Sequence, residues 1–465
     1  MAYRVEEIEV PLESPFANDD LGRRPVVEFL AGLIGRIEGP FVLAIDSPWG
    51  TGKTTLIKML AAELERQDFQ CVQFNAWKVD YVTDPLVALV SSVDRVSLGD
   101  VSAEAAFHES IGKVKKAVRI LAKRTMVAGA KVATFGILDA EREIEAAAAE
   151  LTGNLAGDLF DSFEQERKLL MKFREDLASA ISQLSVAGKK ANLIFFVDEL
   201  DRCRPTFAIE LLERIKHLFD VSNLVFVLSI DKRQLEAITA AVYGQGIDAP
   251  EYLRRFIDLE MGIPTTNSKQ FTQRLVSRFG LDSVFAQRNG HETSYDKGNF
   301  IDFFSAIADA LGLTLRARER CLTRLKVVMD QTPSNHYLDP VLVALLIALR
   351  TAQPEMFREV VTGRAAPSET MDFLADRVSR VASLDERMLL VIEAYLIVAD
   401  PDKKRQQSKM DELRGTVAEE ELDVAVRSKV QDLLEMIRAV GGGMRMGVRM
   451  ATVAAKIDLA AMVRD

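Results

Sequence analysis

The sequence predicts an α/β fold: a parallel sheet with helices on both faces, a long helical insertion and an all-α C-terminal region. Four short apolar runs indicate the strands, and helical patterns separate them. Apolar strands that alternate with helices are typical of parallel sheets buried on both faces. No strand signal follows Pro264, which predicts helices for the rest of the chain. The four runs are residues 41–45, 71–74, 193–197 and 224–230.

The spacing of these runs divides the chain into two predicted domains. The gap between the second and third runs is too long for a single crossover connection, and residues 95–190 approximately are rich in Ala, Lys, Glu and Leu. This composition favours a helical insertion within a first domain of residues 1–265. Residues 266–465 are predicted to form a second, helical domain.

Composition and charge exclude several classes of protein. The 465 residues carry a net charge of −10, which argues against binding nucleic acid over a broad basic surface. The three cysteines, Cys71, Cys203 and Cys321, are far apart, as is typical of a reducing compartment. No apolar stretch reaches the roughly 18 residues that span a bilayer, and the N-terminus does not resemble a signal peptide. A cytoplasmic location is therefore expected.

A glycine-rich loop lies between the first apolar run and the helical pattern that starts at Lys53. Such a loop turns backbone N–H groups towards phosphate oxygens, and the helix N-terminus adds partial positive charge. Lys53 is predicted to reach the β- and γ-phosphates, and the Thr54 hydroxyl to bind magnesium. Ser47 replaces the usual first glycine of the P-loop pattern. The predicted nucleotide-binding residues of the loop are Ser47, Pro48, Trp49, Gly50, Thr51, Gly52, Lys53, Thr54 and Thr55.

The third apolar run ends in an acidic pair, within the sequence LIFFVDELDRC of residues 193–203. Asp198 is expected to lie near the magnesium ion, and Glu199 to orient or deprotonate the attacking water. Because the two residues are adjacent, only one of them can reach the metal. Asp201 and Arg202 are interpreted as structural residues that form a local ion pair.

The choice of nucleotide follows from a motif that this sequence does not contain. Guanine is read in many P-loop proteins by Asn-Lys-x-Asp after a strand. Here the fourth apolar run continues as SIDKRQL, in which Asp231 and Lys232 match that motif only superficially. The sequence therefore predicts ATP rather than GTP, with Mg²⁺ as the metal.

Taken together, these motifs resemble those of the KAP family of P-loop NTPases. The resemblance covers roughly residues 20–265 and includes a long helical insertion between the two nucleotide motifs. FNAW and DELDRC are its more specific elements, because a P-loop is common to many families. The matching segments are WGTGKTT, FNAW (74–77), VDELDRC, FVLSID (226–231) and YLRRFID (252–258).

The resemblance implies an ASCE-type core, in which a central strand lies between the P-loop strand and the acidic strand. It implies ATP as the nucleotide and assigns Ser229 or Asp231 to the sensor position of the fourth strand. Arg254 or Arg255 would be the arginine that touches the γ-phosphate, with a solvated helix face as the alternative interpretation. Bacterial members are associated with phage exclusion and defence, whereas animal members are membrane scaffolds. Many members carry transmembrane helices in the insertion, and this sequence shows no such span.

A basic amphipathic segment, residues 110–138, lies within the insertion. Four functions suit such a helix: peripheral contact with an anionic membrane, binding of nucleic-acid phosphates, packing on an acidic partner, or packing on the protein's own core. Aromatic residues are nearly absent from it, so base stacking is not expected. The acidic residues 139–150 are predicted to fold back as a helical hairpin. The segment contains Lys113, Lys115, Lys116, Arg119, Lys123, Arg124 and Lys131, beside Ile111, Val114, Val118 and Leu121.

Two functional hypotheses follow, and a third is weaker. The first is a switch-type ATPase whose nucleotide state positions the C-terminal helices or a partner, in bacterial defence as the resemblance implies. The second is a scaffold, at the membrane surface or in a protein complex, that binds ATP and hydrolyses little of it. A nucleic-acid motor is not favoured, because only the basic segment supports it. Protein partners are expected, and ATP-promoted self-association is a further hypothesis, since an arginine acting between chains would couple the site to an interface.

Overall fold

A computed structural model divides the chain into two compact units. The first, here called the sheet unit, contains Ile8–Asp19 and Arg23–Pro264. The second, called the helical unit, contains Asp20–Gly22 and the described residues of Thr265–Asp465. Each unit has a hydrophobic core of its own. The residues that the structure describes are 8–134, 155–264, 268–287, 296–330, 332, 339–378, 384–419, 423–442 and 450–458.

The sheet unit combines one sheet with helices and three short 3₁₀ turns. The turns are Trp77–Val79, Ser92–Arg95 and Leu200–Arg202. The strands are Phe41–Asp46 (β1), Gln70–Asn75 (β2), Leu193–Asp198 (β3), Leu224–Ile230 (β4) and Leu259–Gly262 (β5). The helices are Arg24–Ile34 (α1), Lys53–Arg66 (α2), Pro85–Ser91 (α3), Val101–Thr134 (α4), Leu155–Val186 (α5), Pro205–Leu218 (α6), Lys232–Tyr243 (α7) and Ala249–Arg254 (α8).

The helical unit contains helices and no strand among its described residues. Its helices are Ser268–Arg278 (α9), Leu281–Gln287 (α10), Asp296–Ala310 (α11), Leu315–Asp330 (α12), Pro340–Ala352 (α13), Pro354–Thr362 (α14), Pro367–Val378 (α15), Glu386–Val398 (α16), Lys403–Ala418 (α17), Val424–Gly442 (α18) and Met450–Ile457 (α19).

The five strands form one parallel sheet in the order β2-β3-β4-β1-β5. Strand β4 therefore lies between β1, which leads into the glycine-rich loop, and β3, which ends in the acidic pair. This order confirms the expected α/β fold and its central strand. Because the strands are parallel, their carboxyl ends lie at the same edge of the sheet.

Alternate residues of the central strands enter two different cores. In β3, Phe195 and Val197 join the core formed with helices α3 to α8, whereas Ile194 and Phe196 join the core formed with α1 and α2. Both faces of these strands are covered, so polar residues do not alternate with apolar ones along them. This burial explains why the strands are visible in the sequence as nearly continuous apolar runs.

Strand β5 was not predicted from the sequence. Among the described residues, Leu259–Gly262 pair with β1 alone, and they are exposed or half-buried. An edge strand with little burial needs no apolar run, and the sequence DLEMG does not provide one. The strand is therefore recognisable only from its pairing with β1.

The apolar stripe of the basic segment packs inside the sheet unit. Ile111, Val114, Val118 and Leu121 are buried in the core that also contains Phe173 of α5. The apolar face of α4 as far as Leu121 is thus occupied by the protein's own core, while peripheral contact of the basic residues with a membrane or partner stays a prediction. The acidic segment 139–150 lies outside the described residues.

Helix α13 is apolar on every side because it is enclosed on every side. All residues from Pro340 to Leu349 are buried, as expected for a helix in the middle of a helical core. No helix in the described part of the chain is long and apolar enough to cross a membrane.

Asp339 caps helix α13 from a buried position. Its side chain accepts hydrogen bonds from the N–H groups of Val341 and Leu342, both at 3.0 Å, and it is 1% exposed. Burial raises the pKa of this carboxyl from 3.8 to about 6, although the two backbone hydrogen bonds and one with the Tyr395 side chain act against that shift. The folded protein therefore retains a proton that the unfolded chain loses between these pH values.

We expect this difference to reduce stability as the pH rises from about 4 to about 6. Asp339→Asn keeps a good N-cap but cannot ionise, so it should gain stability relative to the natural chain across that window. The gain should be on the order of 3 kcal/mol, measured by urea unfolding of both proteins at several pH values. If the free energy of unfolding changed with pH in the same way in both proteins, the raised pKa of Asp339 would be contradicted.

Candidate nucleotide-binding site

The carboxyl ends of β1, β3 and β4 bring the sequence motifs to one edge of the sheet. The glycine-rich loop follows β1, and helix α2 starts at Lys53. The N–H group of Ser47 donates to the carbonyl of Ile230 at 3.1 Å, so the loop begins beside the end of β4. Asp198 is in register with Ser229 of β4, which places the acidic pair at the same level.

Two glycines give the loop its backbone conformation. Gly50 and Gly52 have φ angles of 80° and 86°, in the left-handed region that residues with a Cβ rarely adopt. Ser47 is not in that region, so serine at this position causes no such strain. Its hydroxyl donates to the Thr51 hydroxyl at 2.8 Å, and Thr51 donates to the Pro48 carbonyl at 2.9 Å. These bonds close the loop on itself.

Lys53 extends from the start of α2 into the loop, where its side chain is buried. Its ammonium group donates to the carbonyls of Ser47 and, at 3.4 Å, of Pro48. Burial lowers the pKa of Lys53, and nearby carboxylates, Asp201 first and Asp231 next, act in the opposite direction. The loop therefore holds a buried cation that an anionic ligand in the loop would contact.

Thr54 and Asp198 connect the loop to the acidic strand. The Thr54 hydroxyl donates to Asp198 Oδ2 at 2.8 Å, and Asp198 Oδ1 accepts from the backbone N–H of Glu199 at 3.0 Å. Hydroxyl and carboxylate oxygens are the ligands that Mg²⁺ prefers. The structure thus brings together the two predicted metal ligands. Thr55 lies half-buried in the same helical turn.

Glu199 points away from Asp198, towards the end of β2. Its φ angle of 61° places it in the left-handed region, which turns the chain sharply after β3. Asn75, the last residue of β2, donates to Glu199 Oε2 at 2.8 Å, and Arg202 pairs with Oε1. The two adjacent carboxylates therefore diverge, and Asp198 is the one that faces Thr54.

The end of β4 contributes two buried polar side chains between the loop and the acidic strand. Ser229 is fully buried, and its hydroxyl has no hydrogen-bond partner among the described residues. Asp231 is buried at the N-cap of α7 and interacts electrostatically with Lys53. A buried hydroxyl normally has a partner, so Ser229 is a candidate for contact with a bound ligand.

The predicted ion pair between Asp201 and Arg202 is wrong. The indole N–H of Trp49 donates to the Asp201 carboxylate, whereas Arg202 pairs with Glu199. Leu200–Arg202 form a 3₁₀ turn, in which residues i and i+3 lie on the same side and adjacent ones diverge. Burial raises the pKa of the Asp201 carboxyl, and the hydrogen bond from Trp49 opposes that shift.

Arg254 and Arg255 do not lie beside the phosphate loop of their own chain. Both are exposed at the end of α8, where Arg254 pairs with Glu251 at 2.9 Å. The chain then enters β5, and Asp258 N–H donates to the carbonyl of Val42 at the start of β1. The phosphate loop follows the carboxyl end of β1. These arginines therefore lie near the amino ends of the strands, at the opposite edge of the sheet from the loop.

Three residues of the site were not predicted from the sequence. Asn75 is in register with Asp198, so its contact with Glu199 follows from the strand pairing rather than from a local motif. Arg202 was interpreted only as structural. Arg23 is buried and donates to the carbonyls of Thr51 at 3.3 Å and Pro264 at 3.1 Å. It therefore connects the phosphate loop to the segment that follows β5.

The strand order and the loop define a P-loop nucleoside triphosphatase fold. A model of the KAP family P-loop domain matches residues 23–330, which is more than half of the chain. The chain belongs to the KAP family of P-loop NTPases. The matched region continues beyond residue 265, the end expected from the motifs, into residues of the helical unit.

Two solved structures resemble the chain at low sequence identity. One is the ORC2 protein of Aeropyrum pernix in ADPNP-ADP complexes, 13% identical with a TM-score of 0.29, over 95% of this chain and 95% of that one. The other is C. elegans PCH-2, 14% identical with a TM-score of 0.32, over 73% of this chain and 72% of that one. Scores this low carry no functional conclusion. No curated protein matches the sequence.

Replacing Lys53 by Ala should abolish nucleotide binding or hydrolysis. The reason is that Lys53 is the buried cation of the loop, and its loss removes the charge that faces the phosphates. Binding is measured by titration calorimetry and turnover by phosphate release. Lys116→Ala, an exposed lysine on α4, is the matched control and should behave as the natural chain. Unchanged ATP affinity and turnover in Lys53→Ala would rule out the loop as the site.

Proposed function

We propose that this chain binds ATP with Mg²⁺, hydrolyses it, and uses the nucleotide state as a switch for the helical unit or a protein partner. The observation that carries the proposal is the 2.8 Å hydrogen bond between Thr54 and Asp198. It joins the start of the phosphate loop's helix to the end of the acidic strand. Two motifs far apart in sequence thus share one site, as phosphoryl transfer with a metal requires.

The donors at this site suit magnesium. Thr54 and Asp198 would hold the ion, and both offer hard oxygen ligands. No group of three or more His, Cys, Asp or Glu residues in the described ranges could hold a metal alone. An ion here would therefore depend on phosphate and water oxygens for its other ligands. Bound magnesium would supply positive charge against the charge that develops on the transferred phosphoryl group.

The roles of the other residues follow from their positions. Lys53 is proposed to contact the β- and γ-phosphates, since it is the buried cation of the loop. Ser229 or Asp231, at the end of β4, is proposed to sense the nucleotide, because both lie between the loop and the acidic strand. Glu199 is proposed to orient or deprotonate the attacking water, because Asp198 already faces the metal ligand Thr54. The proposal of ATP rather than GTP rests on the sequence alone.

The position of Arg254 and Arg255 favours a role between chains. Both lie at the edge of the sheet opposite their own phosphate loop, and both are exposed. An arginine from a neighbouring chain can stabilise the charge on the transferred phosphoryl group. We therefore propose that ATP promotes a dimer or larger assembly in which one of these arginines serves the neighbour's site.

A scaffold that binds ATP and hydrolyses little is the second candidate function. The observation that favours it is the state of Glu199, both of whose carboxylate oxygens already accept hydrogen bonds, from Asn75 and Arg202. Contact with an anionic membrane through residues 110–138 belongs to this alternative. Anti-phage defence, with the chain in the cytoplasm, is proposed as the biological setting from the family resemblance alone.

Phosphate release by the purified chain, with ATP and either Mg²⁺ or a chelator, tests the proposed activity. In the same assay, Glu199→Gln should retain ATP binding and slow hydrolysis by about 10²-fold or more, as loss of a general base often does. Glu63→Gln is the control, because Glu63 lies near the C-terminal end of α2, away from the phosphate loop. If Asp198→Asn instead spares binding and blocks only the chemical step, the roles of the two acidic residues are reversed.

Replacing Arg254 or Arg255 by Ala should lower hydrolysis far more than ATP affinity, because an arginine at the transition-state charge contributes 10³-fold or more to the rate. Mixing that variant with Lys53→Ala shows whether the arginine acts on a neighbouring chain or not. Activity regained in the mixture means that the arginine acts between chains. No recovery, with light scattering showing single chains in ATP, would contradict the proposed assembly.

A further inference from the structure

The guanidinium group of Arg202 lies within cation–π distance of two indole rings. Its carbon atom is 5.7 Å from the ring centre of Trp49 and 5.8 Å from that of Trp77. Trp49 belongs to the phosphate loop, whereas Trp77 starts the 3₁₀ turn that follows β2. A cation at this distance from an aromatic face is attracted by it, so Arg202 connects two segments that are not adjacent in sequence.

The same guanidinium group holds the proposed water-activating residue. Arg202 pairs with one carboxylate oxygen of Glu199, and Asn75 donates to the other at 2.8 Å. The Arg202 and Glu199 side chains are only 21% and 16% exposed, so solvent screens this pair weakly. Donors on both oxygens fix the plane of the carboxylate as well as its position.

The turn after β3 is therefore attached to the phosphate loop at two points. Trp49 donates to Asp201 through its indole N–H and faces Arg202 with its ring. Any displacement of Trp49 by a ligand in the loop changes both contacts. Since Arg202 also holds Glu199, the displacement reaches the carboxylate that is proposed to act on water.

We propose that Arg202 is a positioning residue for hydrolysis, which orients Glu199 and couples its position to the phosphate loop through Trp49 and Trp77. This role rests on the proposed ATPase activity and adds a residue to it. Arg202 acts through Glu199 and touches neither nucleotide nor metal in this scheme. Misplacement of a reacting group by about 1 Å can cost 10²-fold in rate, so the loss of Arg202 should be visible in turnover.

The first test separates turnover from binding. Arg202→Ala should lower kcat by about 10-fold or more and leave the KM and the affinity for ATP nearly unchanged. Arg202→Lys should recover little of the loss, because an ammonium lacks the planar guanidinium face that interacts with the two rings. Arg66→Ala is the matched control, since Arg66 also pairs with a glutamate three residues away, at the far end of α2.

The second test uses fluorescence, because Trp49 and Trp77 are the two tryptophans of the chain. Trp49→Phe keeps an aromatic ring beside Arg202 and leaves Trp77 as the emitter. Addition of a non-hydrolysable ATP analogue to this variant should change the Trp77 emission. Adding Arg202→Ala to it should remove the change while calorimetry still shows binding.

Together the two tests decide the proposal. Slower turnover with intact binding, and a Trp77 response that needs Arg202, support it. Natural turnover in Arg202→Ala, or a Trp77 response that persists without Arg202, overturns it. Binding and turnover lost together also overturn it, because that is the effect of a purely structural residue. Should Arg202→Ala not fold, Arg202→Lys gives the same readouts, and Trp77→Leu, at an exposed ring, gives those of turnover and binding. A natural chain that binds no ATP would refute the proposed function itself.

Discussion

The contact between Thr54 and Asp198 is the constraint on which the rest of the site depends. The strands that lead to these residues, β1 and β3, are separated by β4, and neighbouring strands lie about 4.8 Å apart. The start of α2 must therefore lie across the end of β4 for the two side chains to meet at 2.8 Å. The hydrogen bond from Ser47 to Ile230 fixes this position, and it places Ser229 and Asp231 beneath the same region.

The parts of this arrangement that could be predicted from the sequence are those with a local signal. The central strands are buried on both faces, so their apolar runs identify them. The glycine-rich loop has its own pattern. A close turn around an anion requires left-handed backbone, and Gly50 and Gly52 adopt it. Strand β5 has neither signal, because an exposed edge strand needs no apolar run.

The interactions that could not be predicted depend on pairing between distant segments. Arg202 was paired with its sequence neighbour Asp201, but the 3₁₀ turn sends these two side chains in different directions, to Glu199 and Trp49. Asn75 meets Glu199 only because β2 and β3 are adjacent and in register. In the same way, sequence spacing does not show that Arg254 lies at the opposite edge of the sheet from the phosphate loop.

A structure of the chain with a non-hydrolysable ATP analogue and Mg²⁺ would show whether the phosphate loop and the acidic strand form one nucleotide site. We expect the β- and γ-phosphates within the loop of residues 47–54, with Lys53 released from the Ser47 and Pro48 carbonyls to contact them. We also expect the metal at the Thr54 hydroxyl, with Asp198 as the neighbouring carboxylate. An analogue bound elsewhere, or Lys53 still bonded to the loop carbonyls beside a bound nucleotide, would contradict this expectation.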